Sequence, residues 1–416
     1  MKGVSDRSTK HVWQIQAGFR DAWRSTSEHS HLARLKTRRR MWLNVHLYLG
    51  LFAGALLVVF GLTGSILAFW QEIDAWLNPE LHQVAASPEG RTAYRPLSEL
   101  VQAADTAVPP GSKRSIVYYP QSPDLAFWFF YQGPAAAPEE ADTLNVFVDP
   151  YTAKVTGTRL WYHAQNPLKH CFMGFMFKLH YALLLGKTGG LLVGILAVLL
   201  IVSVLTGLIV WWPLTGKWRQ ALTIKPRASP ERFNHDLHKT FGFYSALVML
   251  AVLISGVYFN LPEQFLWLVE RFSTVSRPKD FLSEPGSGRV PISPDEAAAR
   301  IHRAYAEERL YWFSIPDTEH GTYVFDLQKP VAGLFTGRHQ VVMDRYSGEV
   351  LADLSPAAGN GGQMFVQWQW SLHSGHALGM TGRILVFLTG LACPVIFVTG
   401  VIRWLQKRRA RRVKAA

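Results

Sequence analysis

Four long apolar stretches dominate the pattern of hydrophobic and polar positions along the chain. Each holds more than about 18 nearly uncharged residues, which as an α-helix is enough to cross roughly 30 Å of hydrocarbon. They run from Leu43 to Trp70, Leu191 to Trp212, Phe241 to Leu261 and Ile384 to Leu405. Trp70, Trp211, Trp212 and Trp404 lie at their ends, where interfacial aromatic residues are expected. The pattern predicts an α-helical membrane protein with four transmembrane helices.

Two polar segments, residues 71–178 and 262–371, separate these helices. Asn145 to Val148, Thr322 to Asp326 and His339 to Met343 alternate with the period of half-buried strands. Ser293 to Tyr305 has helical spacing after a Ser-Pro-Asp-Glu start. The stretch after Val148, with Asp149, Pro150 and Tyr151, and the stretch 345–348 are typical of turns between strands. Each polar segment is therefore predicted to form a small α+β domain.

The predicted organisation alternates membrane and extramembrane segments. It consists of a basic N-terminal segment (1–40), the first transmembrane helix (41–70), a first extramembrane domain (71–178), the second helix with its preceding histidine segment (179–213), a loop (214–237), the third helix (238–261), a second extramembrane domain (262–371), the fourth helix with its preceding histidine segment (372–405) and a tail (406–416).

The net charge is +13, and the positions of the basic residues predict the topology of the chain in the membrane. The basic residues cluster beside helix ends, as the sequence shows at 38–40, 217–227 and 407–412. This distribution follows the positive-inside rule and predicts that both termini and the 214–237 loop are cytoplasmic. The extramembrane domains are then periplasmic, in a multi-pass protein of the bacterial inner membrane. No separate basic face with interleaved aromatic residues points to nucleic acid.

The two halves of the chain match at a nearly constant offset. The offset is 192 or 193 residues near the membrane and 195 between the stretches 146–155 and 341–350. The matched pairs are His46 with His238, Gly50 with Gly242, Gly64 with Gly256, His180 with His373, Thr206 with Thr399, and Gly207 with Gly400. Three separate segments in agreement predict a tandem duplication, with a pseudo-twofold axis along the membrane normal.

Six histidines lie at the predicted membrane boundaries. His46, His235 and His238 are on the cytoplasmic side, and His180, His373 and His376 are on the opposite side. A lone histidine there is typically a satisfied amphipathic side chain. Repetition at matching positions favours a shared partner, because an ionisable group at the membrane edge is costly unless it is paired or coordinated.

Two imidazoles that face each other across a pseudo-twofold axis suit a haem iron better than zinc, which needs four protein ligands. The 24 residues from His46 to Trp70 span roughly 36 Å as a helix, so the two sides need separate irons. We therefore predict two b-type haems. One iron is held by His46 and His238, or His235, and the other by His180 and His373, or His376. The repeat favours His238 and His373 as ligands.

Cationic side chains near the histidines are predicted to pair with haem propionates. On the outer side these are Lys178, Lys187 and Arg383. On the inner side the residues 38–40 offer arginines, although their role in setting the topology is the competing explanation. The two cysteines, Cys171 and Cys393, support neither a disulfide framework nor an iron–sulfur cluster.

These motifs resemble the PepSY-associated transmembrane family of iron-regulated inner-membrane proteins. The resemblance rests on the Leu-His pairs before Gly-x-Thr-Gly or Gly-Met-Thr-Gly, the Asn234-His-Asp-Leu-His238 helix start, and the paired strand hairpins. It covers about residues 38–405 and implies two PepSY-like domains. It also implies dihaem reduction of ferric siderophores as the activity, with the siderophore as partner. Because no nucleotide site accompanies the haems, the electron donor is expected to be a cytoplasmic reductase or quinol.

Two other functions are compatible with the same segments. One is a non-catalytic membrane scaffold whose PepSY-like domains bind peptides or regulate a peptidase. The other is a siderophore permease with structural haem. No residue is assigned as catalytic, because the chain has neither a catalytic triad nor a convincing nucleotide-binding loop.

Overall fold

The structure is a computed structural model that describes residues 37–136, 141–213, 216–286, 288–328, 338–356 and 359–415. Residues 1–36, which make up most of the predicted N-terminal segment, lie outside this range. The helices are α1 (Thr37–Leu67), α2 (Trp70–Leu77), α3 (Pro79–His82), α4 (Leu97–Thr106), α5 (Phe172–Ala182), α6 (Gly186–Trp211), α7 (Trp218–Leu222), α8 (Pro230–Asn260), α9 (Pro262–Val269), α10 (Pro294–Ala304), α11 (Gly361–Ser374) and α12 (Gly379–Ala415).

The four predicted transmembrane helices are confirmed as helices long and apolar enough to span a bilayer. They are α1, α6, α8 and the segment His376–Val413, which joins a 3₁₀ turn to α12. The helices are longer than the apolar stretches because polar turns extend them. For example, α8 begins at Pro230, where the Ser229 hydroxyl accepts a hydrogen bond from Arg232 N and caps the helix.

The four long helices pack as a bundle around a shared apolar core. Its buried residues include Ala53 on α1, Leu200 on α6, Met249 on α8 and Cys393 on α12. Close contacts depend on small residues, as is usual between membrane helices. A Cβ added to Gly61 of α1 would lie 2.7 Å from the carbonyl oxygen of Gly390 on α12.

The extramembrane segments build an antiparallel sheet. Its strands are β1 (Lys113–Tyr118), β2 (Phe127–Gln132), β3 (Thr143–Val148), β4 (Val155–Tyr162), β5 (Arg309–Ser314), β6 (Thr322–Gln328), β7 (His339–Asp344) and β8 (Val350–Leu354). Their order is β4-β3-β2-β1-β5-β6-β7-β8. The two segments therefore do not form separate sheets. They share one, because β1 pairs with β5 through Val117 opposite Phe313 and Tyr118 opposite Trp312.

The two faces of the sheet bury different partners. Phe127, Phe129 and Tyr131 point to the face covered by α4 and α10, as the period of two in a strand requires. Trp128 and Phe130 point to the other face. That face packs against α2, α5 and the C-terminal end of α1. The sheet therefore covers one end of the helix bundle, which is called the sheet side below.

Trp70 is not the interfacial residue that the sequence predicted. The first membrane helix ends at Leu67, and Trp70 begins α2 with 8% of its surface exposed. Its ring lies 5.0 Å from Trp128 and 5.6 Å from Tyr118, centroid to centroid. A tryptophan after an apolar run fits both an interfacial belt and an extramembrane core, and the contact with β2 decides between them.

Candidate functional site

Two of the histidines face each other at the sheet side of the bundle. The ring centroids of His180 and His373 are 6.0 Å apart, with 75° between the ring planes. His180 lies in the last turn of α5 and His373 in the last turn of α11. Both helices end at a residue in the left-handed conformation, Leu183 at φ 50° and Gly375 at φ 81°. These ends turn the chain from a short helix into the membrane helix that follows.

A second pair lies at the opposite end of the bundle. His46 on α1 and His238 on α8 have ring centroids 6.1 Å apart and an interplanar angle of 66°. The separation and the inclination are close to those of the sheet-side pair. The structure thus brings together the same two histidine pairs that the repeat had favoured.

Hydroxyl side chains hold the sheet-side rings. His180 Nδ1 lies 2.9 Å from Thr63 Oγ1, and His373 Nδ1 lies 2.9 Å from Ser255 Oγ. Each hydroxyl donates its own proton within its helix, Thr63 to the Val59 carbonyl at 2.7 Å and Ser255 to the Ala251 carbonyl at 2.7 Å. Each hydroxyl oxygen is therefore the acceptor, and each histidine Nδ1–H is the donor.

Backbone carbonyls hold the rings of the opposite pair. His46 Nδ1 donates to the Ser203 carbonyl at 2.8 Å, and His238 Nδ1 donates to the Ile396 carbonyl at 3.0 Å. Because a carbonyl oxygen only accepts, these bonds place the proton on Nδ1. Within the described residues, the hydrogen bonds found for all four rings use Nδ1. Nε2 is then the ring nitrogen with a lone pair available to a ligand.

Four glycines pack against the four rings. A Cβ added to Gly207 would lie 2.9 Å from His46 Cε1, and one added to Gly400 would lie 3.2 Å from His238 Cε1. At the sheet side the corresponding distances are 3.1 Å from Gly64 to His180 Cε1 and 3.7 Å from Gly256 to His373 Cε1. Side chains at these positions would crowd the rings, most of all at Gly207.

The other two predicted histidines are not in these pairs. His235 is 44% exposed at its side chain and lies 3.6 Å from the buried carboxylate of Asp236. His376 Nδ1 lies 2.8 Å from Ser374 Oγ in the turn between α11 and α12. Neither ring makes a ring contact with a histidine of the pairs among the described residues.

Two of the predicted propionate partners contact protein groups. Arg383 pairs with Glu72 at 2.6 Å and donates to the Ala68 carbonyl at 2.9 Å. Burial acts to raise the pKa of Glu72, but the hydrogen bond and charge of Arg383 outweigh it and lower that pKa. The ammonium of Lys178 lies 4.5 Å from the ring centroid of Tyr162. Lys187 lies in the first turn of α6.

Sequence reasoning missed the residues that hold the rings. Thr63, Ser255, Gly207 and Gly400 received no role, although a hydroxyl residue recurs at the 192-residue offset and Thr-Gly recurs at 193. A repeated hydroxyl followed by a glycine was thus a signal. The acceptor carbonyls of Ser203 and Ile396 leave no such trace, because every residue carries one. The described residues contain no group of three or more His, Cys, Asp or Glu side chains that could hold a metal ion.

The four apolar helices and the sheet that covers one end of them define an integral membrane protein with an extramembrane sheet region. The chain matches the family model of the PepSY-associated TM region over residues 43–407, and it belongs to that family. A comparison with curated proteins finds no match.

Proposed function

We propose that this protein is a dihaem oxidoreductase of the bacterial inner membrane. It carries electrons across the bilayer and reduces a ferric siderophore on the sheet side, with release of Fe²⁺. The observation that carries the proposal is the presence of two histidine pairs at opposite ends of one helix bundle, with nearly equal geometry.

The spacing of each pair fits an iron between the rings. An imidazole nitrogen binds a first-row metal at about 2 Å, and the ring centre lies about 1 Å further back. Two imidazoles that held one iron between them would therefore have centroids about 6 Å apart. The observed separations are 6.0 and 6.1 Å. In addition, metal-bound histidines usually donate their other N–H to a carbonyl or hydroxyl oxygen, as all four Nδ1 groups do here.

Glycines also favour a flat ligand beside the opposite pair. Gly50 and Gly242 each lie four residues, or one helical turn, after His46 and His238. A Cβ added at either glycine would meet nothing within 4 Å. This open surface on the same helix face suits a porphyrin edge.

A haem bound at each pair would supply one-electron chemistry, and the chain would hold, orient and shield it. The 18 residues of α1 from His46 to Gly64, which contacts His180, rise about 27 Å. The pairs thus lie near opposite membrane surfaces. The apolar core around Leu200 and Met249 lies between them and excludes water. Reduction weakens an oxygen chelate because Fe²⁺ gains less than Fe³⁺ from anionic ligands.

The orientation follows from the basic clusters. Under the positive-inside rule, the termini and the His46–His238 pair are cytoplasmic, and the sheet and the His180–His373 pair are periplasmic. Electrons enter from a cytoplasmic reductase or from quinol. The sheet-side pair is then the site from which electrons leave the protein, called the exit site below.

The matched contacts support a duplication with two PepSY-like halves. Thr63 and Ser255, which are 192 residues apart, bind equivalent histidines. The acceptor carbonyls of Ser203 and Ile396 are 193 residues apart. Each half also contributes four consecutive antiparallel strands to the sheet.

An anaerobic single-turnover assay tests the proposed function. Chemically reduced protein, mixed with a panel of ferric siderophores, should be reoxidised while a ferrous chelator captures one Fe²⁺ per electron. His180→Ala and His373→Ala should abolish this reaction but leave the haem of the opposite pair reducible. Equal reoxidation in these variants would rule out the sheet side as the exit. A colourless, well-folded protein would instead favour the scaffold function.

A further inference from the structure

A small cleft lies beside the sheet-side histidine pair. Its walls come from the end of α8, from α11 and from β7, and its cavity volume is about 40 Å³. Phe259 lines it and also contacts His373, with ring centroids 5.3 Å apart. Trp370, one turn before His373, forms another wall. Through Phe259, the cleft and the histidine pair share a wall.

The polar side chains of this cleft can all donate hydrogen bonds. They are Tyr258, Ser276, Arg277, Arg338, Gln340, Gln367 and Trp370. The described lining includes no Asp or Glu. Gln340 and Gln367 are 8% and 5% exposed and line the cleft, so their side-chain amides can donate to a ligand that accepts hydrogen bonds.

The two arginines are held in place by other groups. Arg338 donates from Nε to the buried carboxylate of Asp326, and its guanidinium lies 5.0 Å from the ring centroid of Trp312. Arg277 is 3.3 Å from Glu263 and 3.4 Å from Asp280. Each guanidinium has five N–H donors, so these bonds leave donors over for a ligand. Fixed guanidinium groups of this kind suit bidentate recognition of a carboxylate.

We propose that this cleft binds a carboxylate group. Its volume of about 40 Å³ holds a group the size of a few waters, such as a carboxylate, but not a whole chelate, because about 10–15 Å³ of such space holds one water. The carboxylate has two possible sources, a propionate of a haem held by His180 and His373 or a carboxylate arm of a ferric chelate at the exit site. The location beside the exit rests on the proposed function, whereas carboxylate binding itself does not.

Citrate and ferric citrate are the probes for this site. Titration calorimetry on the purified full chain measures binding, and potentiometry with haem quantitation measures any effect on the sheet-side haem. The variants are Arg277→Gln and the double variant Arg338→Gln/Asp326→Asn, which avoids leaving the buried Asp326 unpaired. Arg271→Gln is the matched control for Arg277→Gln, because Arg271 lies over Trp267 outside the cleft and its loss changes the net charge by the same amount. The double variant leaves the net charge unchanged, so it tests the cleft without a change in overall charge.

The outcomes separate the two sources. If the source is a chelate, citrate binds, and both cleft variants weaken it by about tenfold or more, while Arg271→Gln does not. If the source is a propionate, citrate does not bind, but both cleft variants change the midpoint potential or the retention of the sheet-side haem. If neither readout differs from the Arg271→Gln control, the proposal is wrong. A protein without haem would overturn the proposed function, and the citrate titration would still test the cleft.

Discussion

The two histidine pairs have nearly the same ring geometry, but their nearest hydrogen-bond acceptors differ. Side-chain hydroxyls of Thr63 and Ser255 are nearest to the sheet-side rings, and His373 Nδ1 has a second acceptor in the Val252 carbonyl at 3.1 Å. Backbone carbonyls of Ser203 and Ile396 are nearest to the opposite rings, and His238 Nδ1 has a second acceptor in Thr399 Oγ1 at 3.2 Å. The sheet-side histidines also lie on short helices that end in left-handed turns, whereas His46 and His238 lie within long membrane helices. The sheet-side pair therefore depends more on individual side chains and on the extramembrane fold.

The largest effect should come from removing a ring itself. Under the proposed function, His46→Ala or His238→Ala should remove one of two haem equivalents and leave the other, since the pairs are at opposite ends of the bundle. His180→Ala or His373→Ala should remove the other equivalent. Pyridine haemochrome quantitation measures this. His235→Ala and His376→Ala are the matched controls and should keep both equivalents, and retention of both haems in all four pair variants would disprove the ligand assignment.

The next effect concerns space beside the rings. A Cβ at Gly207 would lie 2.9 Å from His46 Cε1, and the hydrogen bond to Ser203 prevents that ring from moving freely. Gly207→Ala should therefore weaken haem binding at the opposite pair by about 1–3 kcal/mol. Gly256→Ala is the control at the sheet side, because its Cβ would be in ordinary contact at 3.7 Å from His373. Haem retention in the presence of a competing apo-protein measures the effect of both variants. If Gly207→Ala and Gly256→Ala lost haem equally, the predicted packing would be wrong.

A smaller effect comes from removing a side chain that accepts a hydrogen bond from a histidine ring, compared with one whose main-chain carbonyl is the acceptor. Thr63→Val keeps the shape of the side chain but removes the oxygen that accepts from His180, and we expect about a tenfold loss of haem affinity at the sheet side. Ser203→Ala should have no such effect at the opposite pair, because the acceptor there is the main-chain carbonyl. Optical titration of haem into each apo-variant checks this. Similar affinities for Thr63→Val and the native chain would show that the hydroxyl is not needed.

The smallest effect is a pH dependence of stability at His339, which is in neither histidine pair. His339 on β7 lies 2.7 Å from Glu308 and 2.9 Å from Asp353, and Tyr305 packs on its ring. Burial acts to lower the pKa of His339, but the two carboxylates outweigh it and raise that pKa above the usual 6.5. The stabilisation is fully present below pH 6.5 and is lost as the pH rises through the higher pKa of the folded state.

Thermal unfolding across pH 5–9 should therefore show a decrease in melting temperature at the alkaline end that His339→Gln removes. Haem content should stay the same in this variant. If the native chain and His339→Gln have parallel pH profiles, protonation of His339 does not contribute to stability.

Much of the fold was predictable because membrane helices and strands leave strong periodic signals. The predicted strand Asn145 to Val148 lies within β3, and the predicted helix Ser293 to Tyr305 contains α10. The turn after Val148 has the expected form, with Asp149 accepting from Tyr151 N at 2.8 Å. The shared sheet was not predictable, because the pairing of β1 with β5 joins residues far apart in sequence and has no local signal.

Four membrane helices, two strand-rich segments and the spacing that repeats His46 at His238 and His180 at His373 are evident from the amino-acid sequence alone. These properties follow from local periodicity and from positions along one chain. The packing of the helices sets which histidines face each other, that Thr63 and Ser255 contact two of them, and that Arg338 lines a cleft beside the sheet-side pair. Distances between side chains on different helices depend on how those helices pack, and that packing comes from many weak contacts spread over the whole bundle.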